Sequence, residues 1–327
     1  MKVRRILSVL AVGATLAGAA TAQETTIRLA EADTFSYEDL VQLIAYQNTR
    51  DRGVGVEVIS LKSDDITFQA VLNQQVDMGV GDSYEAIGNL DAPIRNIYQI
   101  RKLAYVPVVD KTVSSDWMGL DGKPFAVHSR GSGTEALAKV AERKNGIKFS
   151  QILYVPGSEV RLVAMQRGNI IATYLDLTTS KVLIDSDPDK FGVLPTGDQD
   201  ASDSTLYADQ SFLAAHPEAV QILLEELLKA AQATNADPSF PARERERLGL
   251  LPDMTAEEVA QITPYFEQAV GIGIFPTDGG GEAAAQADLE FLAEAGKIPA
   301  AEDKPLDAYW DFAPLAAAQE VVGADTK

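Results

Sequence analysis

The chain carries the same unit twice, ninety-four residues apart. Residues 64–82 read DDITFQAVLNQQVDMGVGD, and residues 158–176 read SEVRLVAMQRGNIIATYLD. Each copy opens on a residue suited to a helix N-cap, Asp64 or Ser158, followed by an acid, Asp65 or Glu159, whose charge favours the positive end of a helix dipole. About three turns of apolar-periodic sequence follow, then a short break, then an apolar run that closes on aspartate. A β-type run precedes each copy, GVGVEVISL at 53–61 and QILYVP at 151–156. Further upstream stand TIRLA (26–30) with a helix from Ser36, and KPFAV (123–127) with a helix from Gly133. Two successive β-α-β-α-β units predict an α/β protein of two lobes, each a mainly parallel sheet flanked by helices. Open parallel sheets bind ligands at the carboxyl ends of their strands, so a cleft between the lobes is the first place to expect function.

The N-terminus bears on where such a protein works. Lys2, Arg4 and Arg5 precede an apolar stretch from Ile6 to Ala20, and Ala20-Thr21-Ala22 fits the small-residue cleavage pattern of a secretory signal. The stretch is short and alanine-rich for a membrane span, and no later one approaches the ~20 apolar residues a span requires. The expectation is a signal peptide at 1–22 and a free periplasmic protein beginning at Gln23. The chain has no cysteine, which removes a lipobox, disulfides and thiol chemistry. Its formal charge is −20, and losing Lys2, Arg4 and Arg5 makes it more negative still. That balance argues against nucleic acid or an anionic membrane surface as partner.

The pattern turns irregular at 106–118 and again, with many acids, at 196–204, and the second β-α-β-α-β unit lies between. The chain is therefore expected to leave the first lobe once, complete the second and return: 23–117 as the first part of lobe 1, 118–204 as lobe 2, and 205–327 as a return segment packed mainly on lobe 1. The return begins with a strong helix, Pro217 at its first position and Val220, Leu223, Leu224, Leu227, Leu228 and Ala231 on one face, ending near Asn235 and Pro238. Further helices are expected at 255–270 and at 282–295, the latter closed by Gly296.

Three stretches carry a family resemblance: KPFAVHSRGSGTEALAKVAERKNGI (123–147), VPGSEVRLVAMQRGNI (155–170) and SFLAAHPEAVQILLEELLKA (211–230). In this order they resemble the periplasmic solute-binding proteins of ABC importers, within the nitrate, sulfonate, taurine and thiamine-pyrimidine class. The resemblance implies the type II periplasmic-binding-protein fold, two α/β lobes on a two-stranded hinge that close over one small molecule. It also implies a monomer without cofactor or metal that hands its ligand to a permease in the inner membrane. The family's usual strand motif, Gly-x-Ile/Val-Asp, is split here: Val76-Asp77 follow Gln74 in the glycine's place, and Gly168 is followed by Ile171 in the aspartate's place. These departures touch the turn and leave the ligand subclass open.

If the lobes close over the strand ends, the residues just past each strand should line the cleft. These are Asp33 and Phe35 after the first strand, Asp82 and Ser83 after the third, then Ser129, Arg130, Gly131, Ser132, Gly133 and Thr134, then Gly157 and Ser158, and finally Asp176. Within SRGSGTE the glycines allow close backbone approach, Ser132 and Glu135 have capping-box spacing, and the free N–H groups of a helix start suit an anionic or carbonyl oxygen. Glu31, Asp33, Asp82, Glu135, Glu159 and Asp176 outnumber Arg130 and Arg161, a mixture that suits a ligand with both a donor and an acidic group. Phe35, Tyr37, Tyr84, Tyr174 and Tyr207 could supply aromatic walls.

Enzyme readings are poorer. His128 and Ser129 are neighbours on a strand and so point to opposite faces, which rules them out as a base and nucleophile pair. No nucleophile elbow, zinc signature, phosphate loop or dinucleotide fingerprint is present. Two histidines and no cysteine make a transition-metal site a poor reading, and the acid runs DSDPD (185–189) and DQDASD (198–203) lack the glycine and final glutamate of a calcium loop. The alternatives to transport are an enzyme like the thiamine-pyrimidine synthases, which resemble this fold but rely on a cysteine-rich segment, and a sensor that presents its closed form to a receptor. Cell fractionation followed by N-terminal sequencing is expected to find a periplasmic species starting at Gln23; a cytoplasmic species retaining Met1 would overturn the export reading.

Overall fold

The structure, a computed structural model, describes residues 25–196, 200–298 and 305–325; the expected signal segment lies outside them. The first half of the chain runs β1 (Thr26–Glu31), a 3-10 turn (Tyr37–Asp39), α1 (Leu40–Asp51), β2 (Gly55–Ser60), α2 (Asp64–Leu72), β3 (Met78–Gly81), α3 (Tyr84–Leu90) and β4 (Ile94–Lys102). After β5 (Val106–Asp110) the order repeats as β6 (Pro124–Val127), α4 (Gly133–Asn145), β7 (Gln151–Tyr154), α5 (Ser158–Gln166), β8 (Ala172–Leu175), α6 (Leu177–Ser186) and β9 (Phe191–Val193). The return segment holds β10 (Ser202–Asp209), α7 (Gln210–Ala215), α8 (Pro217–Ala236), α9 (Phe240–Leu248), α10 (Ala256–Gly271), α11 (Gly281–Ala295) and α12 (Ala313–Asp325).

The strands form two five-stranded sheets with the orders β2-β1-β3-β10-β4 and β7-β6-β8-β5-β9. In each, the first three strands are parallel, as strands joined through crossover helices must be, and the fourth runs antiparallel to both its neighbours. This is the two-lobed α/β arrangement expected from the repeat. The irregular stretch after Val106 differs from expectation: Val106–Asp110 is a strand of the second sheet despite its proline, which pairs opposite Tyr174. The strands therefore change sheet at Leu103–Tyr105 and again between Val193 and Ser202, the first of these ahead of the 117/118 boundary read from sequence. The two crossings touch, with the Leu103 N–H donating to the Ala201 carbonyl at 2.8 Å and the Leu194 N–H to the Pro107 carbonyl at 2.9 Å.

Local chemistry explains most element ends. Ser132 caps α4 by accepting from the Glu135 N–H, and Gly146, at φ 64°, ends it in the left-handed region. Thr255 and Glu258 form a reciprocal capping box at the start of α10. The expected caps Asp64 and Ser158 are instead the first helical residues of α2 and α5, and their side chains do another job. The Asp64 carboxylate accepts from the Asp82 N–H at 2.8 Å, and the Ser158 hydroxyl accepts from the Asp176 N–H at 3.1 Å. In both copies the first residue of the helix thus ties down the backbone leaving the next strand, eighteen positions on.

Helix α8 packs between α1 and α12 over the first sheet, burying Val220, Leu223, Leu224, Leu227 and Leu228. The return segment does more than cover lobe 1, because α11 also packs on α4, and Lys297 just beyond it pairs with Glu85 of the first lobe at 2.7 Å and with Glu135 of the second. At the centre of the first sheet, Gly79 lies beneath the buried Tyr207 ring, and a Cβ there would stand 2.5 Å from it. Gly79→Ala is expected to lower stability by about 1–3 kcal/mol through overpacking, measured by urea denaturation; an unchanged midpoint would show that the ring gives way freely.

Candidate ligand-binding cleft

A cleft of about 670 Å³ lies between the sheets, walled by both, a size that suits a small organic molecule. The first lobe contributes the segment from Asp33 to Asp39 after β1, Arg101 and Tyr105 at the first crossing, and Asp203 of β10. The return segment closes one side with Leu251–Met254, Glu258 and Tyr265. The second lobe contributes Ser158, Glu159 and Arg161 of α5 and residues 176–179 at the start of α6. A narrow extension of about 60 Å³ continues toward Glu31, Asp64, His128, Ser132, Gly133 and Thr134.

Of the residues expected from sequence, Asp33, Phe35, Ser158 and Asp176 wall the main cleft, and Ser132, Gly133 and Thr134 border the extension. The Ser132 hydroxyl is already engaged, donating to the Ser129 carbonyl at 2.8 Å while capping α4. Glu135 does not close a capping box with it: its carboxylate takes the Gly131 N–H at 2.9 Å and the Tyr154 hydroxyl at 2.6 Å. Ser129 joins the lobes, its hydroxyl donating to Asp64 at 2.7 Å. Gly157 donates its N–H to His128 Nδ1 at 3.1 Å, which leaves the ring proton on Nε2 to reach the Ala32 carbonyl of the other lobe at 3.3 Å. Arg130 is exposed and lies over the Tyr154 ring at 5.4 Å.

Asp82 and Ser83 depart from expectation and lie away from the cleft. The Ser83 hydroxyl is fully buried and donates to Asn96 at 2.7 Å. Asp82 borders a separate crevice of about 10 Å³ against Asp288, Phe291 and Leu292 of α11, barely room for one water.

Several cleft residues were not anticipated. Arg101 sits in β4, where an alternating strand pattern conceals it, and Tyr105 in the crossing. Glu38 and Asp39 come to share a cleft with Asp203 and Thr178 only when the sheets assemble. The Arg101-Lys102 pair just before a predicted crossing was the one available signal.

The cleft's charges fall into three groups. Arg101 is spent within lobe 1, paired with Asp39 at 2.9 Å and Asp203 at 2.6 Å; burial opposes its charge, but the two carboxylates hold its pKa above the ordinary value. Arg161 is buried, and burial pulls its pKa down. Its guanidinium donates to the Tyr174 carbonyl at 3.1 Å, the Val155 carbonyl at 2.9 Å and the Ser158 hydroxyl at 3.1 Å, and among the described residues no carboxylate pairs with it. Glu38 is pushed up to about 8, first by burial and then by the charge of Asp176 across the cleft, while Arg101 and the Thr178 hydroxyl act the other way.

The sequence from 50 to 240 matches the family model described as NMT1/THI5 like. The chain belongs to the NMT1/THI5-like family. No curated protein sequence matches it. Among solved structures, a Bordetella bronchiseptica RB50 protein superposes with a TM-score of 0.69 at 18% identity, over 91% of this chain and 98% of that one. The periplasmic nitrate-binding protein NrtA of Synechocystis PCC 6803 gives 0.68 at 13% identity, over 92% and 90%. The alkanesulfonate-binding protein SsuA of Xanthomonas axonopodis pv. citri, bound to MOPS, gives 0.63 at 15% identity, over 88% and 99%. At these identities the likeness shows the fold, which is the periplasmic-binding-protein fold. No described helix of this NMT1/THI5-like chain is long and apolar enough to cross a membrane, and no group of three or more metal-ligating side chains occurs among the described residues.

The Glu38 shift sets a sign for pH dependence. An ordinary glutamate loses its proton near 4.5, whereas Glu38 keeps its own to about 8, so between those values the folded chain holds a proton the unfolded chain has released. Raising the pH through that window removes stability. The thermal midpoint is expected to fall between about pH 5 and pH 8, and Glu38→Gln, which cannot ionise, to lessen that fall; an identical slope in the variant would show that Glu38 is ionised throughout.

Proposed function

We propose that this chain is a periplasmic substrate-binding protein that captures a small polar organic solute, a sulfonate, aminosulfonate or other nitrogen-containing compound, and delivers it unchanged to an ABC transporter in the inner membrane. The observation that carries this reading is the cleft of about 670 Å³ walled by the strand ends of two lobes that the chain crosses between twice. The binding titles of the nitrate and alkanesulfonate structures lend support, as do the signal-like N-terminus and the absence of cysteine from the sequence.

Closure is the proposed mechanism. A ligand that touches Asp33 and Phe35 on one lobe and Ser158 and Asp176 on the other stabilises the closed arrangement and shifts an existing equilibrium toward it, and the permease reads that state. The lobes would be 23–117 with the return segment, and 118–204, refined by the sheet crossings at Leu103–Tyr105 and before Ser202.

A thermal-shift screen of sulfonates, amino acids, pyrimidines, polyamines and dicarboxylates tests the reading, since a solute that binds only the folded state raises its stability by mass action. At least one solute is expected to bind one per chain and be recovered intact by mass spectrometry. Thr178→Trp, which projects a large ring from the second lobe into the cleft, should abolish that binding, and Asp82→Ala should leave it unchanged. Chemical turnover of the solute, or binding that survives Thr178→Trp, would overturn the proposal.

A further inference from the structure

Resting on the reading of the two lobes as halves that close over the cleft, we propose that the seam between α4 and the end of α11, tied by Lys297, is a counter-interface: it opposes closure, and its strength sets how open the free protein stands.

The crossings show the cleft and the seam different residues. Arg101, Lys102, Ala104 and Tyr105 wall the cleft. Leu103, between them, is buried in the apolar cluster that holds Ala136, Leu137 and Val140 of α4 and Leu289 and Leu292 of α11. It lies so near the start of α4 that a Cβ on Gly133 would stand 2.9 Å from it. At the second crossing Leu194 and Ala201 belong to the same cluster, whereas Asp203 faces the cleft. The helices divide in the same way. The starts of α5 and α6 and the segment around Leu251–Met254 wall the main cleft, while α4 and α11 pack on each other and contribute nothing to it. The seam therefore lies on the opposite side of the crossings from the cleft, and a rotation about them that narrows one widens the other.

The seam is built to resist widening. The last turn of α4 carries Arg143 and Lys144 to the C-terminal end of α11. Arg143 donates to the Ala293 carbonyl at 3.3 Å and to the Glu294 carbonyl, and Lys144 pairs with the Glu294 side chain at 3.3 Å. Cations placed there also meet the negative end of the α11 dipole. Gly296 keeps the place clear, since a Cβ on it would run into the Arg143 guanidinium. Next in the chain stands Lys297, its side chain only 7% exposed, paired with Glu85 of the first lobe at 2.7 Å and with Glu135 of the second. Glu135 is itself fixed to its own lobe by the Gly131 N–H and the Tyr154 hydroxyl. Widening the seam parts Lys297 from Glu135 and uncovers the apolar faces of Leu289 and Leu292, and both changes cost free energy. Closure of the cleft has to be driven against that cost. A weaker seam moves the resting balance toward the closed arrangement.

Because the chain has no cysteine, a pair of spin labels can read the cleft in the ligand-free protein. Cysteines replace Glu257, exposed at the start of α10, and Lys181, exposed on α6 one turn past Thr178, and double electron-electron resonance gives the distance between them across the cleft. Lys297→Met keeps much of the side chain's length and removes its charge. It is expected to raise the ratio of short to long distances about tenfold or more, and Leu289→Ala to shift it the same way. Loosening without a counter-interface would instead broaden the distances or lengthen them. If Lys297→Met does not fold, Arg143→Ala and Leu289→Ala carry the test. Distances that stay the same in every folded variant, or that grow, overturn this inference. No ligand enters the measurement, so that result leaves solute capture standing, and failure of the solute screen would leave the distances to be judged by themselves.

Discussion

Two strands that change sheets hold the molecule's function together. β5 leaves the edge strand β4 and inserts antiparallel into the second sheet, and β10 makes the reverse journey into the first. Each then occupies the fourth position of a sheet whose other inner strands are parallel, so neither lobe is complete without chain that arrives from the other side. Only Leu103–Tyr105 separate β4 from β5, and the two crossings are hydrogen-bonded to each other. A linker that short cannot let the lobes drift apart. The same crossings bring the strand ends of both sheets face to face and set Arg101, Tyr105 and Asp203 into the wall between them.

Opposite the crossings, the lobes meet through a mixed interface. The α11 helix packs on α4, its Ala285, Leu289 and Leu292 buried in the same apolar cluster as Ala136, Leu137 and Val140; Lys297 ties Glu85 to Glu135, and Ser129 reaches Asp64. Buried ion pairs of this kind add little net stability, but losing one partner is costly, so they hold one arrangement in preference to others. The cleft itself stays polar. Charge that would be expensive to bury is kept there by specific compensation: two carboxylates for Arg101, carbonyls and a hydroxyl for Arg161, and a proton for Glu38. Arg101 is thus compensated by two ion pairs, whereas Arg161 has hydrogen bonds but no carboxylate partner among the described residues.

The repeat shows where pattern reading succeeds and where it stops. Asp82 and Asp176 hold equivalent places in the two copies, and the backbone of each is held by the first residue of the preceding helix. Both were expected to line the cleft, yet only Asp176 walls it. The difference comes from outside the repeat: α11, which has no counterpart in the second lobe, lays Asp288, Phe291 and Leu292 over the end of β3 and encloses Asp82. Asp176 has no such cover and opens α6 by accepting from the Thr179 N–H at 2.7 Å. A sequence repeat fixes local environment, and a later segment can still change what that environment faces.

From the sequence alone came the two-lobed α/β class, the parallel strands and their helices, the position of the return helix at Pro217, and the likeness to solute-binding proteins. All of these rest on local periodicity, on capping chemistry or on short motifs, which act within a turn or two of the residues that carry them. The strand at Val106 escaped notice because its run is short and holds a proline, and its pairing partners lie more than sixty residues away in β8 and β9. Glu38 and Arg101 escaped for the same reason, whereas Asp176 was expected at the cleft from its place after a strand. Glu38, Arg101, Arg161 and Asp176 are ordinary residues of a turn, a strand and two helix starts until the crossing strands bring them together, and burial and mutual charge then give them their character. Interactions between segments far apart in the chain leave no mark on local pattern, and at this cleft it was those interactions that the tertiary structure decided.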